Sequence, residues 1–365
     1  MSDVLVYLGT YTEKRPDGGG SKGIYRARLD QATGKLGPTT LAAELENPSF
    51  LAVSPDRRFL YAVAEVGVPS ANGEPTGGVA SYAIGPDDSL KLINRVPSLG
   101  ADPCHVSVSR SGRTVAVANY SSGSIVALHT NTDGSLGKAT RDVHTGHGPR
   151  ADRQKEPHAH SVTFSPDDSL LLSCDLGADR VFIYRHDPRT GVITPHAPPF
   201  VGLEPGAGPR HLALHPSGKY AYVITELANT IAGFAWNAKN GTLRQMQTIS
   251  TLPFGYTSES GTAEIVVHPN GRFVYGSNRG HDSLASYAVD AKDGRLTLLA
   301  HTPTGGKAPR SFAIDPSGRW LIAANQLSDS LVSFAIDQGT GALTPTGATS
   351  MLPRPVCVLF VPPGR

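Results

Sequence analysis

Imidazoles, carboxylates and guanidiniums recur along this chain at two fixed offsets from a repeated turn. Five or six residues before the turns stand His105, His160, Arg210 with His211, Glu264 and Arg310. Nine or ten residues after them stand Glu65, Asn119, Asp175, Glu226, Asn278 and Asn325, with Arg279 next to Asn278. Apolar residues dominate in between. Gathered in a concavity, such groups can hold a small acidic molecule and move its protons. An imidazole or carboxylate serves as base, and an arginine fork grips a carboxylate or phosphate or steadies developing negative charge. Any single one of them can also simply cap backbone groups or tie neighbouring elements together.

The richest stretch runs from Val143 to His160 and carries His144, His147, His158 and His160, with Arg150 and Arg153. Its Gly146, Gly148, Pro149 and Pro157 mark it as a loop. No cysteine pair or HExxH sequence accompanies the histidines, so zinc is not expected. His144 and His147 read as solvated loop residues, whereas His160 opens a strand. Glu65, Asn119, Asp175, Glu226 and Asn278 are the residues that could instead form an oxygen cage for Ca²⁺. There is no GxSxG elbow, P-loop or GxGxxG sequence, which leaves no case for a serine hydrolase or a nucleotide enzyme.

The elements that must position these groups follow from the turn itself. Its copies are Ser54-Pro55-Asp56, Arg110-Ser111-Gly112, Ser165-Pro166-Asp167, His215-Pro216-Ser217-Gly218, His268-Pro269-Asn270-Gly271 and Asp315-Pro316-Ser317-Gly318. Proline presets φ, and Gly, Asn or Asp tolerates the tight position. Aligned on residues 55, 110, 166, 216, 269 and 316, the steps are 55, 56, 50, 53 and 47, and 46 more residues reach Pro362 in Val361-Pro362-Pro363-Gly364. Alternating apolar runs flank each copy, such as Phe50–Val53 and Phe59–Val63, and a second hairpin follows. Four strands per period make one propeller blade. Six units are complete, and the seventh is assembled from Val356–Phe360 at one end and Val4–Leu8 with Gly23–Ala27 at the other. The expected fold is an all-β, seven-bladed propeller, a single domain over residues 1–365, whose closure removes exposed sheet edges. Both offsets then fall at one mouth of its channel.

Composition agrees. Gly 40 and Pro 29 suit short strands and tight turns, and 39% hydrophobic residues in 365 suffice for a large core. A formal net charge of +2, from 33 basic and 31 acidic residues, argues against a nucleic-acid binder. No signal core or membrane-length apolar run is present, and Cys104, Cys174 and Cys357 read as buried thiols. A cytoplasmic monomer acting on a small molecule, without nucleic-acid or membrane partners, is the expectation.

Six motifs in order carry a family resemblance over essentially the whole chain. They are Ala118-Asn119-Tyr120, Pro157-His158-Ala159-His160-Ser161, Gly208-Pro209-Arg210-His211, Thr262-Ala263-Glu264-Ile265, Ser277-Asn278-Arg279-Gly280 and Ala324-Asn325-Gln326. The chain resembles the lactonase family of seven-bladed propellers, which includes bacterial 6-phosphogluconolactonases and fungal carboxy-cis,cis-muconate cyclases. The resemblance implies a metal-independent enzyme without cofactor, with His160, Arg210, Glu226 and Arg279 as its catalytic set. Hydrolysis of a sugar lactone is the reading it favours, with 6-phosphogluconolactone first. His160 or Glu226 would be the base and Arg210 would stabilise the oxyanion. Arg279, with Arg310, Arg150 or Arg153, would bind the substrate's phosphate or carboxylate, supported by His158, His211, Asn119, Glu264 and Asn278. Closure of a carboxylated muconate would use the same groups. A non-enzymatic interaction propeller is the reading from another class, but the chain lacks Trp-Asp signatures and has only Trp236 and Trp320.

Overall fold

The repeated turn closes a hairpin in each of six copies of the computed structural model, which describes residues 3–13, 20–69, 73 and 75–362. Pro363 and Gly364 of the last copy lie outside these residues. Two residues after each alignment position the backbone takes a positive φ, at Arg57, Gly112, Asp168, Gly218, Gly271 and Gly318. The tight position in the first and third copies is therefore Arg57 and Asp168, one residue later than the sequence suggested. Asp168 tolerates this conformation while its carboxylate accepts the backbone N–H groups of Arg110 and Ser111, each at 2.7 Å. His215 and His268 serve similarly, with Nε2 bonded to the carbonyls of Gly271 and Gly318. Each device ties one hairpin to the next.

Among the described residues, twenty-eight strands form seven four-stranded antiparallel sheets. The first strands are β1 (Val4–Thr10), β2 (Gly23–Leu29) and β3 (Thr40–Glu44). One sheet follows from β4 (Leu51–Val53), β5 (Phe59–Pro69), β6 (Pro75–Ile84) and β7 (Leu90–Pro97). The next holds β8 (Pro103–Val108), β9 (Thr114–Asn119), β10 (Ser124–Thr130) and β11 (Leu136–Val143). Then come β12 (Ala159–Phe164), β13 (Leu170–Asp175), β14 (Arg180–His186) and β15 (Ile193–Gly202). The fifth set is β16 (Pro209–Leu214), β17 (Tyr220–Thr225), β18 (Thr230–Asn237) and β19 (Thr242–Ser250). The sixth is β20 (Gly261–Val267), β21 (Phe273–Arg279), β22 (Ser283–Val289) and β23 (Leu296–Pro303). The last is β24 (Pro309–Ile314), β25 (Trp320–Asn325), β26 (Ser330–Ile336) and β27 (Leu343–Met351). The C-terminal β28 (Pro355–Phe360) joins β1 in the order β28-β1-β2-β3, with Val6 opposite Phe360. The composite sheet predicted from the two chain ends is thus formed.

Contacts group the chain into two compact units, one of Met1–Glu44, Ala213–Trp236 and Arg244–Arg365, the other of Leu45–Leu212 and Asn237–Leu243. In the second unit Tyr61, Val63, Val106, Val117 and Val126 make one core and Ala118, Ile125, Val162, Leu171 and Phe182 another. In the first unit Phe273, Tyr275, Phe312, Leu321 and Phe334 do the same. Each core joins successive sheets, so β9 and β13 are buried on both faces, while outer strands such as β11 and β23 are largely exposed. Among the described residues no helix is long and apolar enough to cross a membrane.

Cys104, Cys174 and Cys357 are thiols outside any disulfide, buried in strands as expected. Burial pushes the Cys174 thiol up to about 12. At pH 8 a disulfide-exchange reagent is expected to leave Cys174 unmodified in the native protein and to titrate it promptly in denaturant. Prompt native labelling, located by peptide mapping, would contradict this burial.

Candidate active site

A recurrent β-bulge aims the strand-start residues. In the β8–β9 pair Pro103 faces Asn119 and His105 faces Ala118, leaving Cys104 as the extra residue. In β12–β13 the extra residue is His160, and in β24–β25 it is Arg310. Arg210 holds the same second place in β16. A bulge turns one side chain out of the alternation and ends regular pairing, a device common beside functional sites. The loop leading into β16 is held by Asp179, whose carboxylate accepts from Gly206 N at 2.7 Å and Gly208 N at 2.8 Å. Asp282 grips Ala308 N ahead of Arg310 in the same manner. The composition of these loops did not single out either aspartate. Their signal was the positive-φ turn between the second and third strands, shared by Asp179, Asn229, Asp282 and Asp329.

Within the unit of Leu45–Leu212, six rings form a chain of contacts. His158 stacks on Tyr120 at 4.4 Å, and Tyr120 meets the His160 ring edge-on at 5.4 Å. His160 lies 5.4 Å from His211, which lies 5.2 Å from His105, itself stacked on Phe50 at 4.0 Å. Arg210 is only 2% exposed, and its Nη1 lies 3.1 Å from His211 Nε2. A guanidinium can only donate, so this His211 nitrogen accepts and its proton sits on Nδ1. Cys104 Sγ is 3.7 Å from His160 Nδ1 and 3.4 Å from the His160 carbonyl. Arg153 donates to the Tyr120 hydroxyl at 3.1 Å. Tyr120, Cys104 and Phe50 were not among the predicted site residues.

The other unit holds a second set. Glu226 and Arg279 form an ion pair at 2.9 Å, with Glu226 buried and the Arg279 side chain 21% exposed. Arg279 also donates to the carbonyls of Thr262 at 2.7 Å and Gly261 at 3.3 Å, which fixes the guanidinium plane. Glu264 accepts from the N–H of Ile265 at 3.0 Å. Arg310 donates to the Tyr11 hydroxyl at 2.9 Å and lies over its ring, as does Arg354, which is paired with Glu13. Tyr11 and Arg354 escaped the sequence reading because they flank the bulge formed by the two chain ends.

Three expectations need correction. The offset of nine residues and the offset of ten are different environments. At nine, Asn119, Asn278 and Asn325 are 0% exposed, and each donates its amide to a carbonyl just past the last strand of the preceding sheet and to a serine hydroxyl of its own sheet. Asn119 and Asn278 are therefore braces with no surface to offer a substrate. Asp175, also at nine, accepts from His158 N and Ala178 N, each at 2.8 Å. At ten stand Glu65, Tyr120, Glu226 and Arg279, beyond the last buried pair. Second, His144 is not solvated: its ring stacks on Phe182 at 3.9 Å and its Nδ1 pairs with Asp175 at 2.7 Å. His147 is exposed, and Arg150 pairs with Asp152 on the surface. Third, the carboxylates of the imagined Ca²⁺ cage are engaged, Asp175 with His144 and Glu226 with Arg279, while Asn119 and Asn278 commit their amide nitrogens and leave Oδ1 buried without a hydrogen-bond partner. Among the described residues no group of three or more His, Cys, Asp or Glu is arranged to hold a metal ion.

A family model described as "Lactonase, 7-bladed beta-propeller" matches residues 5–360. The chain belongs to this lactonase family. Its seven four-stranded sheets are the seven blades. This lactonase is 39% identical over 363 residues to the 6-phosphogluconolactonase of Bacillus subtilis, covering 99% of both chains. It is 33% identical over 315 residues to the 6-phosphogluconolactonase of Formosa agariphila, covering 85% of this chain and 86% of that one. Among solved structures it matches the periplasmic gluconolactonase of Pseudomonas aeruginosa with a TM-score of 0.90, at 36% identity and 99% coverage of both chains.

Proposed function

We propose that this lactonase opens the ring ester of 6-phosphoglucono-lactone by adding water, with His160 as base and Arg210 as oxyanion partner. The observation that carries the reading is the contact of His160 with His211 and of His211 with Arg210, which sets a guanidinium beside an imidazole pair. Cys104 has a single thiol proton, and carbonyl acceptors lie within its reach. With that thiol hydrogen-bonded to a carbonyl, His160 Nδ1–H donates to sulfur, the tautomer in which Nε2 carries the lone pair that takes the proton of water. Water oxygen adds to the lactone carbonyl as His160 takes its proton, and negative charge grows on the carbonyl oxygen, where Arg210 opposes it. Collapse breaks the acyl C–O ring bond. His160 returns the proton to the ring oxygen, which becomes a hydroxyl, and the acid product releases a proton at neutral pH.

Glu226 is the weaker candidate for base, because its Oε2 is already spent on Arg279. Its role in this reading is to orient Arg279. Glu226→Gln and Arg279→Gln are each expected to lower kcat/KM by about 10²-fold, chiefly through KM, and the double variant to be no worse than either. Additive losses would separate the two residues and return Glu226 to the candidates for base. The names of the Bacillus and Formosa relatives support the phosphorylated lactone. The Pseudomonas neighbour is named for gluconolactone and makes the unphosphorylated ring the second substrate to try. The deciding test is proton release from both fresh lactones above a measured spontaneous blank, with and without chelator. Chelator-resistant acceleration on the phosphorylated ring alone supports the reading. Equal rates on both remove phosphate recognition, and no acceleration on either directs attention to carboxylated muconolactones.

A further inference from the structure

We propose that the hairpin-turn ends of the β4–β7 and β8–β11 blades form a second anion site, for a phosphorylated small molecule that is not a nucleotide. A cavity of about 810 Å³ opens there, lined by Arg58, Arg110, Arg113, Arg189 and His129, with Asp56 the carboxylate among its lining residues. It lies at the closed end of the β8–β9 hairpin, whereas His105 and Tyr120 stand at the open end of the same hairpin. It is therefore separate from the histidine cluster and independent of the catalytic reading.

The site is built rather than merely basic. Asp56 neutralises and aims Arg58, with Nε to Oδ2 at 2.7 Å, and the guanidinium lies 4.8 Å over the Phe59 ring. Asp168 pins the backbone of the Arg110–Ser111 turn through two hydrogen bonds of 2.7 Å. The backbone that carries Arg110 is thereby fixed, its Nη1 donates to the Pro166 carbonyl at 3.3 Å, and Arg113 is exposed on the same turn. His129 lines the cavity as a half-buried ring. Guanidinium forks match phosphate oxygens.

The lining also excludes a class. A nucleotide base stacks well on a bare Phe or Tyr face, and neither such ring of the lining offers one. Arg58 covers one face of Phe59, Gly134 packs so close that a Cβ there would fall 2.3 Å from the ring, and Tyr61 is fully buried. The exposed polar groups of Ser111, Asn131 and Thr132 suit sugar hydroxyls instead.

Calorimetric titration of the full chain with 6-phosphogluconate tests this, using wild type, Arg110→Gln/Arg113→Gln and Arg279→Gln, with ATP as a second probe. The double variant is expected to weaken the turn-end binding event by about tenfold or more while kcat/KM stays within about twofold of wild type. Arg279→Gln should leave that event unchanged; if it lowers kcat/KM without touching it, the two sites are distinct. An isotherm of the double variant that overlays wild type overturns the proposal. Preference for ATP in the arginine-dependent event overturns the ligand class.

Discussion

Replacing His160 by glutamine is expected to lower kcat for the lactone by about 10²–10⁴-fold, the range a positioned general base contributes. Glutamine keeps most of the volume of the ring and can still bond Cys104, so the fold should survive. His160 is 4% exposed and packs against Tyr120 and His211, both of which remain. The check is kcat alongside the melting temperature, with the pH profile of kcat as the second readout. In wild type the rate should rise with pH as the base loses its proton, and that ascending limb should vanish in the variant. A near-normal kcat in a well-folded His160→Gln protein would remove the base from this position. Loss of rate with an intact ascending limb would make His160 a positioning group instead.

Asp175→Ala carries the second large effect, and it falls on stability. This fully buried carboxylate accepts from His144 Nδ1 at 2.7 Å and from the N–H groups of His158 and Ala178, each at 2.8 Å. Alanine would leave all three donors inside the protein without an acceptor. Each such loss costs about 1–3 kcal/mol, and some relaxation brings the expected total to about 3–5 kcal/mol. Asp175→Asn should recover part of it, since an amide oxygen can still accept from the backbone pair. Denaturant unfolding with an unchanged m-value measures the difference. Because His158 N hangs from Asp175, the alanine variant also loosens the loop that leads into His160. Turnover unaffected by chelator in the surviving folded fraction is the outcome that fits a brace. A stable Asp175→Ala protein would mean the hydrogen bonds carry no net weight.

The blade repeat was legible in the sequence because turn chemistry is local. Proline ahead of a residue that tolerates positive φ, between two alternating apolar runs, specifies a hairpin whatever surrounds it. The same repeat marked where His160, Arg210 and Arg310 would stand, since strand length fixes how far each lies from its turn. The choice between nine and ten residues after the turn was not legible. One step along a strand reverses the side chain, and which face is buried depends on the neighbouring sheet. That is why Asn119 and Asn278, polar and well placed by count, proved to be internal braces, while Tyr120 carried the stacking surface. His144 went the same way: its loop composition says solvent, but Phe182 and Asp175, distant in sequence, bury it.

The sequence by itself determined the seven sheets, their order and the strand ends on which reactive side chains sit, because each follows from a pattern a few residues long. Only the tertiary structure decided which polar groups spend their hydrogen bonds on the protein and which remain for a substrate. Those partners come from residues tens of positions away, and no local pattern records them.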